Sequence, residues 1–319
     1  MEQAAIVKTD DDALAARASA VKLKYLEDAY IKYFVKSVHR KAPIINRGTY
    51  VRTRAIDQVV DHFLGEDFAE TGGRQIISLG AGSDTRFFRL ATHALEKHGS
   101  IPFRYHEIDF SDVCQRKAMT MTMKPGLRDI LNRQADAPTV DARRGSIYSQ
   151  AYNLHPLDLA DMPEPGTMLT NMRADLPTLV ISEVCLIYLD PAAAERVLTW
   201  TRGFPAAALV IYEPIQGTDA FGRMMIRNLA ARGLQLKTLE RYDTLAKQRS
   251  RLLDAGFSHA QSCTMNDVYE NWIPASERER LAALEMLDEV EEWIMLAEHY
   301  CVALGWRGNC LDHFAETFS

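Results

Sequence analysis

The chain has 319 residues, 47% of them hydrophobic and 25% charged, with a formal net charge of -6 and a mean hydropathy of -0.20. That balance supports a sizeable core and excludes extended disorder, a dominant basic surface for nucleic acid, and any apolar run near the ~18 residues that span a bilayer. Five scattered cysteines (Cys114, Cys185, Cys263, Cys301, Cys310) and nine histidines without an HExxH pattern predict no disulfide framework and no metal, and point to a reducing, cytoplasmic setting.

In chain order, Asp10 to Lys24 reads as a short helix with an acidic start. Ile31, Phe34, Val35 and Val38 carry the spacing of one buried helical face, and Ile56, Val59, Val60 and Phe63 repeat that stripe. Between them Arg40 to Arg54 breaks the pattern and is basic, with Arg40, Lys41, Arg47, Arg52 and Arg54. After Gly72-Gly73 strands and helices alternate. Gln75 to Leu79 predicts a first strand, Thr85 to Lys97 a helix, Arg104 to Phe110 a second strand and Ser111 to Met121 a helix. Leu127 to Arg144 reads as a polar, irregular insertion, and Ser149 to His155 as a weak third strand. Thr178 to Ser182 is a strong fourth strand, Asp190-Pro191 starts a helix, Ala207 to Glu213 is a fifth strand, and Phe221 to Arg232 is a helix ended by Gly233. Ser258 to Met265 is strand-like. Ser276 with Glu279 reads as a capping box opening a long acidic helix to about Leu296, before a last strand at Tyr300 to Gly305. The alternation predicts a Rossmann-like α/β fold: a mostly parallel, seven-stranded sheet with helices on both faces, extra N-terminal helices and insertions. One domain is the simplest account, with residues 1–72 a helical lid region and 73–319 the core.

The strongest chemical signal is LGAGSDT, Leu79 to Thr85, where a strand turns into a helix. Gly80 and Gly82 let the backbone turn sharply and approach a ligand closely. A dinucleotide site would want a third glycine where Thr85 stands, and Asp84 beside it would repel a pyrophosphate. The pattern suits a neutral or cationic ligand such as S-adenosylmethionine, or it is a plain structural turn. Asp109, ending the second strand, can accept from ribose hydroxyls; Glu107 competes for that role, and alternation places both on one face. Asp158 can accept from an adenine amino group or be a turn residue. Glu183, ending the fourth strand, falls in the ligand crevice or caps the Asp190 region. Tyr188 is a wall of the transfer point or a core residue. The arginine run is a solvated face, or it holds carboxylates through two-pronged hydrogen bonds.

On these residues the chain resembles the leucine carboxyl methyltransferases that act on the catalytic subunit of protein phosphatase 2A. LGAGSDTRFFRL (Leu79 to Leu90) is shared with a wider group of O-methyltransferases. KAPIINRGTYVR (Lys41 to Arg52), SEVCLIYL (Ser182 to Leu189), FGRMMIRNL (Phe221 to Leu229) and LEMLDEVEEWIMLAEHYCV (Leu284 to Val302) carry the narrower match, from about Tyr25 to Arg307. The resemblance implies that Arg52 holds the cofactor carboxylate and that Gly80, Asp109, Asp158, Leu159 and Glu183 are further cofactor contacts. Arg17 stands where relatives usually have a lysine touching the cofactor, and Ala220 where close relatives have arginine. It implies a monomer that methylates a C-terminal leucine carboxylate, with Arg52 and Tyr188 nearest the chemistry and the 127–144 insertion facing the phosphatase. An α-carboxyl, with a pKa of about 3.3–3.7, is already ionised and needs no general base. Two rivals are an enzyme of the same fold acting on a small molecule or a modified tRNA base, and a non-catalytic binder of phosphatase tails. The tRNA-acting relatives carry a long C-terminal extension that is absent after Ser319, and retention of Gly80, Asp109 and Glu183 speaks for catalysis.

Overall fold

Nine strands form one sheet in the computed structural model, which describes residues 2–65, 73–134 and 136–308. They are β1 (Arg74–Leu79), β2 (Phe103–Asp109), β3 (Thr139–Asp141), β4 (Ser146–Tyr148), β5 (Tyr152–Pro156), β6 (Thr178–Glu183), β7 (Ala207–Pro214), β8 (His259–Thr264) and β9 (Tyr300–Arg307). Their spatial order is β3-β4-β5-β2-β1-β6-β7-β9-β8. Strands β5, β2, β1, β6 and β7 are parallel neighbours. Strand β9 enters antiparallel between β7 and β8, and the β3–β4 hairpin extends β5. The expected seven-stranded body is therefore present, but the sheet is wider and more mixed than predicted. The extra edge comes from the segment read as an irregular insertion. It also supplies a helix with Leu127, Ile130 and Leu131 buried, so part of it faces the core rather than a partner.

The helices are α1 (Glu2–Lys22), α2 (Pro43–Leu64), α3 (Arg86–His98), α4 (Ser111–Met123), α5 (Pro125–Leu131), α6 (Pro191–Trp200), α7 (Ala220–Ala231), α8 (Leu245–Asp254), α9 (Met265–Asp267), α10 (Ala275–Leu284) and α11 (Val290–Glu298). Strand β1 shows why a parallel centre reads so clearly. Ile76, Ile77 and Leu79 are buried because both faces are covered, and buried Gln75 is satisfied by Thr178 and by the Arg173 backbone. From β1 the chain builds β2 and β5 on one side, then crosses to β6 and β7 on the other. At that reversal the carboxyl ends of the strands open a crevice.

Several elements differ from the sequence expectation. The basic stretch is no break: α2 begins at Pro43 in the first helical position and carries Arg47, Arg52 and Arg54. Its first turns bury the polar Asn46, Arg47 and Thr53, so no clean apolar stripe announces them. The predicted helix over 31–38 is only a turn at Ile31–Tyr33, held by Asp28 accepting from the Tyr30 and Ile31 amides. The chain stays extended at Ala42 because Pro43 follows. The long acidic helix is two helices, since Glu285 turns inward to accept from Arg40 and from Asn46 Nδ2 at 2.8 Å. The capping box lies at Thr264 and Asp267 instead of Ser276. Helix α1 also starts earlier than predicted, at Glu2. The boundary placed at residue 72, Cys310 and the chain end at Ser319 lie outside the described residues. No helix among those described is long and apolar enough to cross a membrane.

A buried histidine pair under the sheet predicts acid sensitivity. His106 Nδ1 and His155 Nε2 lie 3.0 Å apart on β2 and β5. Burial lowers both pKa values, that of His155 to about 4, and His155 lowers His106 further. Folded values below the ordinary 6.5 mean that the unfolded chain takes up protons first. Stability is present above that value and is lost as pH falls from about 6.5 towards 4, by up to about 1.4 kcal/mol per unit and group. Denaturant melts across this range should show the slope, and His155→Gln should flatten it; an unchanged slope contradicts the assignment.

Candidate cofactor and acceptor site

A cavity of about 630 Å³ occupies the crevice, walled by the strand ends, α1, the start of α2 and α11. Its floor is the turn after β1. Gly80 has φ +60° and Gly82 φ +50°, a region that favours glycine. A Cβ on Gly80 would lie 2.6 Å from Cys185 Sγ. Gly80→Ala should therefore destabilise the fold by about 1–3 kcal/mol through backbone strain and this clash. Thermal melts of Gly80→Ala with and without Cys185→Ala test it: the second change should restore part of the loss, and no loss at all contradicts the packing.

Helix α1 closes the turn from above. Asp10 accepts from the Ser83 amide at 2.7 Å and the Ser83 hydroxyl at 2.8 Å. Nothing in the local pattern announced this, because Asp10 reads only as the acidic start of a helix. On the far side Asp109 accepts from the Gly82 and Phe110 amides, both at 2.7 Å. Burial outweighs these donors and raises its pKa to about 6. Glu107, the competing acid, is drawn away from the cavity by Lys117 at 2.5 Å and the Tyr152 hydroxyl at 2.7 Å. Asp158 accepts from the Ala160 amide, as a turn residue would, yet it lines the cavity beside Leu159.

Glu183 joins two helices. It accepts from Arg52 Nε and Arg86 Nη2, each at 2.9 Å. Arg86 continues to Asp57 at 3.0 Å and Asp84 at 2.6 Å, and Arg89 closes on Asp57 at 2.8 Å. Burial raises the Asp57 pKa, but Arg89 and Arg86 more than reverse it and hold this carboxyl well below the usual range. Such a buried network fixes geometry more than it adds stability. It also corrects one argument: Asp84 is neutralised by Arg86, so its charge is not free to repel a pyrophosphate. Val184, between Glu183 and Cys185, is held at φ +51°, a strain typical of functional turns.

Arg17 donates to Asp28 at 2.8 Å and approaches the Thr53 hydroxyl at 3.4 Å, while its buried Nη2 finds no acceptor among the described residues. Tyr188 sits on the turn Leu186–Tyr188, nearly buried, and lines the cavity. Arg52 lies over the Tyr212 ring at 5.0 Å, and Tyr212 stacks on Tyr300 at 5.4 Å. Those two tyrosines and Arg86 escaped the sequence reading. Ala220 is the exposed first residue of α7, whose N-cap is Asp219. No group of three or more His, Cys, Asp or Glu side chains that could hold a metal occurs among the described residues.

The family model described as leucine carboxyl methyltransferase matches residues 5–202. Leucine carboxyl methyltransferase 1 of Emericella nidulans is 44% identical over 328 residues, covering 94% of this chain and 84% of that protein. The protein of the same name from Schizosaccharomyces pombe is 42% identical, covering 95% of each. The tRNA wybutosine-synthesizing protein 4 of Homo sapiens is 33% identical over 97% of this chain, which spans 45% of that longer relative.

Proposed function

The chain belongs to the leucine carboxyl methyltransferase family, and from that premise we propose that it methylates the α-carboxylate of the C-terminal leucine of the protein phosphatase 2A catalytic subunit, forming a methyl ester. It is an S-adenosylmethionine-dependent enzyme, and the residues in the cavity fit that cosubstrate. Asp109 has no ion-pair partner among the described residues, which suits ribose hydroxyl donors, and Arg17 keeps a buried donor without an acceptor, which suits a carboxylate. The volume falls in the ~300–1,000 Å³ range of small-molecule sites.

When bound, S-adenosylmethionine supplies a methyl group on a positively charged sulfur, open to in-line attack by a carboxylate oxygen. In this reading Asp109 holds the ribose, Asp158 and Leu159 flank the adenine, and the glycine turn at Gly80 admits the nucleoside. Arg17 and Arg52 hold the amino-acid carboxylate of the cosubstrate, Glu183 fixes Arg52, and Tyr188 walls the transfer point. Alignment by these groups can supply roughly 7–11 kcal/mol. Helix α1 over the turn supports the reading of residues 1–72 as a lid. One core cluster runs from Ala20 through α2 to the sheet, which supports a single domain.

The observation that carries the acceptor assignment is how the cavity carboxylates are spent. Glu183, Asp84 and Asp12 are held by arginines, Asp10 by Ser83, Asp158 by a backbone amide, and Asp109 by the Gly82 and Phe110 amides at the ribose end of the cavity. None is placed as a free base to deprotonate an alcohol or amine, and an ionised carboxylate asks for none. Methyl-labelled cosubstrate with the phosphatase catalytic subunit, intact or lacking its terminal leucine, tests the proposal. Base-labile label should appear on the intact subunit alone; equal labelling of both overturns it. Label on tRNA instead would favour the second reading, suggested by the name of the human relative.

A further inference from the structure

We infer that the stacked pair Tyr212 and Tyr300 is the seat of the acceptor carboxylate, each phenol hydroxyl donating a hydrogen bond that orients the attacking group; this rests on the carboxyl-transfer reading above. Strands β7 and β9 bring the two together. Tyr212 stands beside Glu183 in the β6–β7 register, and Tyr300 opens β9 opposite Pro214. The rings stack at 5.4 Å with 16° between their planes, and the Arg52 guanidinium covers Tyr212 at 5.0 Å. Both line the same cavity as Gly80, Asp109 and Tyr188.

Neither hydroxyl has a hydrogen-bond partner among the described residues, and neither is among the polar atoms shut away from solvent. Two donors therefore face the cavity with their capacity unspent, in a structure where buried donors are usually paired. Burial raises the pKa of both, so they stay neutral donors at working pH.

Neutral donors match the chemistry. An O–CH3 bond forms and an S–CH3 bond breaks; the sulfur keeps the electron pair of that bond and becomes a neutral thioether. The carboxylate becomes a neutral ester and no proton moves. Charge thus disappears from both reactants as the transition state is reached. A free guanidinium on the attacking carboxylate would stabilise the ground state more than the transition state and slow the step. Arg52 is already balanced by Glu183, which leaves the phenols to orient the acceptor without damping it.

Tyr212→Phe, Tyr300→Phe and the double variant keep the ring stack and the Arg52 contact, so the fold should hold. For a synthetic hexapeptide ending in leucine, kcat/KM should fall about tenfold for each and further for both, as loss of an orienting hydrogen bond predicts. Affinity for S-adenosylhomocysteine, measured by titration, should stay within twofold. Peptide binding to the enzyme loaded with S-adenosylhomocysteine gives a readout independent of turnover. The wild type should prefer the free acid over the leucine amide, and the double variant should lose that preference. Unchanged kcat/KM and an intact acid preference in the double variant overturn the seat, as does a wild type indifferent to acid and amide. A wild type that prefers acids whether or not leucine is terminal keeps the seat and refutes the leucine reading alone.

Discussion

Arg52→Ala is expected to reduce kcat/KM by about a thousandfold while the fold survives. The guanidinium is tied to Glu183 at 2.9 Å, lies over Tyr212 and borders the cavity where a carboxylate must be held. Removing one partner of a close, desolvated charge pair costs about 2–5 kcal/mol, and a tenfold change in rate corresponds to about 1.4 kcal/mol. Stability should change far less, because Glu183 keeps Arg86 at 2.9 Å and is not left as a bare buried charge. Alanine also suits the middle of α2. Steady-state rates together with a thermal melt decide the matter. Near-normal turnover, or loss of activity only through unfolding, contradicts the role.

Asp109 carries the second large effect. In Asp109→Asn the cofactor should bind roughly a hundredfold more weakly, since hydrogen bonds to an ionised acceptor contribute about 1.5–3 kcal/mol each and the proposed role gives the acid two ribose hydroxyls. The wild type should also show a pH dependence. Its carboxyl is raised from 3.8 to about 6 because burial exceeds the help of the Gly82 and Phe110 amides, with the Asp10 charge adding to the rise. A raised carboxyl contributes stability below its unfolded value that is lost as pH rises through about 6. The free protein thus carries an unfavourable buried charge at neutral pH, which donors from a ribose relieve. Cofactor affinity should be flat above about pH 7 and fall by up to about tenfold per unit well below pH 6. Titrations from pH 5 to 8 check this. A flat profile in the wild type, or the same slope in Asp109→Asn, would sink the assignment.

Much of this site was legible because it lies at strand ends. Apolar runs such as Gln75 to Leu79 and Thr178 to Ser182 announce buried parallel strands, and Gly80, Asp109 and Glu183 are the residues that end or follow them. The structure gathers these, with Arg17, Arg52, Asp158, Leu159 and Tyr188, around one cavity. What stayed hidden depends on tertiary partners. The start of α2 buries Asn46 and Arg47 against distant groups, so its periodicity is polar and looks like a loop. Asp10 reaches Ser83 across 73 positions, and Tyr212 meets Tyr300 only because β9 inserts antiparallel beside β7. The break at Glu285 is likewise dictated by Arg40 and Asn46, not by its neighbours in sequence.

The central claim is that the crevice above Gly80 takes the nucleoside and amino-acid ends of S-adenosylmethionine. A crystal structure of the enzyme grown with S-adenosylhomocysteine tests it most directly. The account predicts ribose oxygens within hydrogen-bonding distance of Asp109 and the amino-acid carboxylate on Arg17 and Arg52. A ligand bound elsewhere, or a crevice left empty at saturating concentration, would contradict it.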